Sequence, residues 1–170
     1  MVLDGKAPWA LGQGTMSGEF EELKRAVQAS LTTKDDGLVD IVTAVAGLLV
    51  TVAYADREHS EAESAEIGRQ LERIPGLGAG GVGAILAVLR RHARPLASLH
   101  VQRCTRLLRE QTDQAMRYEL LDVLLAVAAA DGVISHEEIV SLRTLTTALG
   151  LSQQHYNQLQ AKYGSSLHFS

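Results

Sequence analysis

A long-period near-repeat limits what this chain can fold into more than any other feature. Leu49-Val50-Thr51-Val52-Ala53-Tyr54-Ala55-Asp56 is followed by Ser60 and Glu63; seventy-five positions later, Leu124-Leu125-Ala126-Val127-Ala128-Ala129-Ala130-Asp131 is followed by Ser135 and Glu138. Each copy sets an Asp, a Ser and a Glu at the same spacing just beyond an apolar segment. The register persists further on, with Ile67 opposite Leu142 and Pro75-Gly76-Leu77 opposite Gly150-Leu151 after a one-residue gap. Such a period is too long for an ordinary solenoid unit. It predicts a duplicated helix-loop-helix, and with it a fold of two pseudo-symmetric halves.

The residue types make those halves helical. Ala and Leu recur, Pro is scarce and aromatics make up 4% of the chain, whereas strands draw on aromatic and β-branched residues. The expectation is an all-α single bundle of seven to eight helices. Residues 1–16 carry glycines without a helical period and read as a flexible leader, residues 17–163 as the helical domain, and residues 164–170 as a flexible tail. Ser17 is placed to cap a helix through Ser30 with Phe20, Leu23 and Val27 on one face. A second helix over about Gly37–Tyr54 is apolar nearly all round and therefore buried.

Ser60 with Glu63, and Ser135 with Glu138, have capping-box spacing and open two more helices. Ile67, Leu71 and Ile74 stripe the first of these, which Pro75-Gly76 ends. Gly78 to Gly83 reads as a hinge into a helix through His92, and Pro95 as the start of another that carries Leu96, Leu99, Leu107 and Leu108. A helix over about Asp113–Ala129 precedes the Ser135 helix, which Gly150 stops. Ser152 opens the last helix.

Several function classes fall away on composition. The net charge of -4 over 170 residues argues against a general affinity for nucleic acid. Cys104 has no second cysteine to pair with, which suits a reducing, cytoplasmic setting. No secretory signal pattern is visible. The longest uncharged run, Ile41 to Ala55, is fifteen residues, short of the ~18–20 that span a bilayer.

The acidic loops admit two readings. Asp131, Gly132, Ile134, Ser135 and Glu138 match the second half of an EF-hand calcium loop, but its first and third positions would be Val127 and Ala129, which offer no side-chain oxygen. The first copy has Arg57 at the turn-glycine place and His59 at the aliphatic one. If the halves pack about a dyad, Asp56, Glu63, Asp131 and Glu138 supply four carboxylates to one place, a set suited to Ca²⁺, Mg²⁺ or Mn²⁺. Asp56 and Asp131 also follow helix C-termini, where an anion costs about 0.3–1 kcal/mol unless a cation offsets it. In the other reading Glu63 and Glu138 only cap helices, and Asp131-Gly132 only turns the chain.

Other motifs carry nothing. Gly76 to Gly81 and Gly78 to Gly83 fit the dinucleotide fingerprint literally, but a helix precedes them and Val101-Gln102-Arg103 stands where an acidic residue belongs. The six histidines, His136 among them, lack metal-ligand spacing. No acid/base pair or nucleophilic triad assembles, so an enzyme is not expected. Arg90, Arg91, Arg94, Arg103, Arg106 and Arg109 form either a solvated face or a basic stripe toward an acidic partner or an anionic membrane.

With these residues in view, Leu124 to Gly132, Ser135, Glu138 and Leu149-Gly150-Leu151-Ser152 resemble the helix, Ala-Asp-Gly loop, helix and terminating turn of the TerB-like tellurite-resistance proteins. That family includes a domain of some membrane-anchored DnaJ-type co-chaperones. The resemblance spans roughly residues 36–163. It implies a noncatalytic all-α domain of two similar halves, active in bacterial stress or tellurite and metal resistance, with acidic patches proposed to hold metal. By correspondence Asp131 and Glu138 form one acidic pair, and Asp56 and Glu63 its duplicate; Arg57 departs from the pattern. The partners implied are a protein or a membrane-associated complex, with the inner-membrane surface as a peripheral location and homodimers allowed. The alternative is a helical protein–protein or membrane-side interaction module with no metal role.

Overall fold

A computed structural model describes residues 18–33, 35–55 and 60–164. The expected leader at residues 1–16, the cap Ser17, the loop residues Asp56, Arg57 and His59, and nearly all of the expected tail lie outside the described residues. Among the described residues there are nine helices and no strand: α1 Gly18–Ser30, α2 Asp36–Ala53, α3 Glu61–Glu72, α4 Ala79–Arg91, α5 Ala93–Leu99, α6 Val101–Gln111, α7 Gln114–Ala128, α8 His136–Ala148 and α9 Gln153–Lys162.

The all-α expectation holds, and nine helices stand where seven or eight were expected. One reason is His100, which ends α5 and opens α6 with φ -116 and ψ 3. The segment after Pro95 is therefore two helices, and α5 begins at Ala93 with Pro95 in its first turn, where the missing N–H does no harm. A second difference concerns the glycines. Gly80, Gly81 and Gly83 lie inside α4 rather than in a hinge. Their helical cost is offset by burial of Val82, Ile85, Val88 and Leu89. Gly81 is also needed for close approach, since a Cβ there would lie 2.6 Å from Ser30 Cβ.

The core is organised around α2. Val39, Val42, Ala46, Leu48, Leu49, Val52 and Ala53 are all buried on it, and it packs against α1, α3, α4, α5, α6, α7 and α8. By length and composition α2 would also pass as a membrane span, with mean hydropathy 1.8 over 18 residues; here the other helices cover it. Gly47 lets α6 come close, because a Cβ at that position would sit 3.0 Å from Cys104 Sγ. The Cys104 thiol is buried, which pushes its pKa up to about 12.

The two helix-loop-helix units interlock. α2 packs on α7, α3 packs on both α2 and α7, and α8 packs on both α7 and α2. Positive-φ glycines end three of the segments, at Gly76, Gly132 and Gly150, each at a turn where a side chain would be strained.

Candidate functional site

The second acidic loop is short because α7 runs deep into it. Val127 is helical and wholly buried, and Ala129 is the C-cap, its N–H donating to the Leu125 carbonyl while the Ala130 N–H donates to the Val127 carbonyl. A calcium loop would need donors at both positions, so its first half is absent for a structural as well as a chemical reason. Gly132 then takes φ +86 and its N–H donates to the Ala129 carbonyl at 3.0 Å. The exposed Asp131 accepts the Val133 N–H on Oδ1 at 3.0 Å, an Asx turn. Ile134 pins the loop to the core at 1% exposure.

Ser135 and Glu138 form a reciprocal capping box. The Ser135 N–H donates to Glu138 Oε2 at 2.8 Å, and the Glu138 N–H donates to Ser135 Oγ at 3.1 Å. The same bonds recur seventy-five residues earlier: the Ser60 N–H donates to Glu63 Oε2 at 3.0 Å and the Glu63 N–H to Ser60 Oγ at 3.1 Å. Both glutamates are 1% exposed. Each carboxylate sits at a helix N-terminus, where the dipole favours it, and each has a further polar or electrostatic partner beyond its box.

The four carboxylates expected to converge thus divide. Glu63 and Glu138 occupy equivalent buried capping positions, Asp131 is turned into its own loop at the surface, and Asp56 lies outside the described residues. Among the described residues no three His, Cys, Asp or Glu side chains group in a way that could hold a metal ion.

The arginines do not form one stripe. Arg91 bonds Glu22 on α1, and Arg103 lies 3.6 Å from Glu21. Arg94 lines a cleft of about 550 Å³ between α2, α5 and α8, with Glu137 on the same lining. Arg109 lies beside Gly150, close to Arg117, and Arg117 donates from Nη1 to the Leu149 carbonyl at 2.6 Å. That last bond satisfies a carbonyl left open at the C-terminus of α8.

The profile of a family described as tellurite resistance protein TerB matches residues 42–161. The chain belongs to the TerB family. The match begins inside α2 and reaches into α9, so both capping boxes belong to the TerB region while α1 precedes it. No curated protein and no solved structure matches the chain.

Two features of this TerB chain escape sequence reasoning. His100, buried at the α5–α6 break beneath Phe20, is one; the Arg117 bond to Leu149 is the other. The only sequence signal for the first is a polar residue at the centre of an i, i+4 series, Leu96, His100, Cys104 and Leu108.

Proposed function

We propose that the chain is a noncatalytic helical interaction module of a bacterial tellurite- or metal-stress system, and that its duplicated acidic loops serve to cap α3 and α8. The observation that carries the second half of this reading is the pair of matching capping boxes, which set one carboxylate oxygen of Glu63 and one of Glu138 on backbone N–H groups. The Asp131 Asx turn supports it. The TerB match supports the first half. The interlocked packing of α2, α3, α7 and α8 supports descent from a duplicated half-domain.

The metal reading is tested against this one by thermal shift with Ca²⁺, Mg²⁺ and Mn²⁺. Gln substitutes for Glu in a capping box, so Glu138→Gln removes the charge and keeps the cap. The expected result is the same metal-dependent increment in wild type and Glu138→Gln, close to zero in both. A rise in melting temperature with one cation that vanishes in Glu138→Gln would establish a metal site. Deleting the protein is expected to sensitise its host to tellurite or metal stress, with growth unaffected otherwise; unchanged tolerance would remove the stress role.

A further inference from the structure

Helix α1 is fastened to the rest of the fold by an apolar stripe and a line of carboxylates. Phe20, Leu23 and Val27 enter the core, and Glu19, Glu21 and Glu22 face α4 to α6. Opposite stand Arg91, His92, His100 and Arg103. Arg91 bonds Glu22, and His92 Nε2 lies 2.6 Å from Glu22 Oε2. Arg103 lies 3.6 Å from Glu21 and its guanidinium 4.2 Å from the Phe20 ring centroid. His100 stacks on Phe20 with centroids 5.4 Å apart, its Nε2 3.9 Å from Glu19. His92 joins α4 to α5 and His100 joins α5 to α6, so each of these two helix breaks presents a ring to α1.

This arrangement has the character of a docked helix. The arginine partners of Glu21 and Glu22 are half-exposed, where ion pairs are screened and individually weak. The His100 side chain is 7% exposed and its Nε2 makes no hydrogen bond, a burial cost that disappears when α1 lifts and water enters. The TerB match starts at residue 42 and leaves α1 outside. The link from α1 to α2 is short, and among its described residues Leu31 pairs with Leu77 in an isolated antiparallel bridge and the Thr32 N–H donates to the Gly76 carbonyl at 3.2 Å, so α1 stays tethered beside its face.

We infer that α4 to α6 form a receptor face for acidic amphipathic helices, that α1 is its built-in occupant, and that a partner protein's helix displaces it. The matching chemistry is a Phe-x-x-Leu-x-x-x-Val stripe flanked by carboxylates that meet Arg91, His92 and Arg103. The inference rests on the reading of the chain as an interaction module and gives the class of its partner. Its failure would leave the stress role standing, and loss of the stress role would leave helix exchange measurable.

Native-state hydrogen exchange on the full chain gives the first test: α1 amides should exchange through a local opening at least about tenfold faster than those of α2. Equal rates would overturn the proposal. For the second, a labelled peptide of residues 18–33 is titrated onto wild type and onto Leu23→Ala. Because the apparent affinity scales with the fraction of open face, binding to Leu23→Ala should be at least about tenfold tighter, and Arg103→Glu in that background should abolish it. No binding by a cooperatively folded Leu23→Ala chain, or binding indifferent to Arg103→Glu, overturns the proposal; if Leu23→Ala does not fold, the exchange rates in wild type decide.

Discussion

At the scale of single residues, His100 shows how burial sets a titration. Desolvation under α1 pushes its pKa below the ordinary 6.5; the Glu19 carboxylate pulls it part of the way back, and the Arg103 guanidinium adds to the depression. A histidine that resists protonation when folded binds fewer protons than the unfolded chain does. Its contribution to stability is therefore complete above about pH 6.5 and is lost as the pH falls through the lower folded value. Melting temperature should drop on going from about pH 7.5 to about pH 5.5, and the drop should be smaller in His100→Gln, which keeps a polar side chain but cannot charge. Equal drops in the two proteins would place the acid sensitivity elsewhere.

Among the elements, α3 and α8 owe their starts to the same device, and the device predicts the same loss. Removing the capping hydroxyl by Ser135→Ala should cost about 1 kcal/mol, within a range of about 0.5–2, which lowers the melting temperature by about 2–4 °C in a domain of this size. Ser60→Ala should behave alike, and Ser135→Thr should recover most of the loss; a full-sized loss in Ser135→Thr would mean that the hydroxyl is not what holds the helix start. Both boxes were legible in the sequence because Ser-x-x-Glu is a local signal that needs no knowledge of the fold, and the Gly150 stop was legible for the same reason. The break at His100 was not, because Leu96, His100, Cys104 and Leu108 keep an i, i+4 register across it and periodicity runs on undisturbed. The glycines of α4 misled in the other direction: their local preference was overridden by tertiary burial and by the contact of Gly81 with Ser30. For the acidic loops, spacing named the residues but not the direction of their side chains. Asp131 takes the N–H two residues ahead of it, and nothing in the sequence distinguishes that turn from a ligand aimed outward.

Over the whole molecule, the interlocking of the two helix pairs has a thermodynamic consequence. α3 and α8 each pack on the first helix of the other pair as well as on that of their own, so neither pair keeps a complete core if the other unfolds. Leu49 and Leu124 occupy matching places in the two copies, on α2 and α7, and both are wholly buried. Truncating either to Ala should destabilise by about 2–5 kcal/mol, and because the core is shared, each variant should still unfold in a single transition with an unchanged denaturant slope. Two resolved transitions in either variant, or a reduced slope, would mean that one half survives alone. If a single transition persists in both, the two helix pairs are not separate folding units: each supplies the surface on which the other's second helix rests, and the apolar α2, long enough in isolation to suggest a membrane span, is buried because both pairs need it.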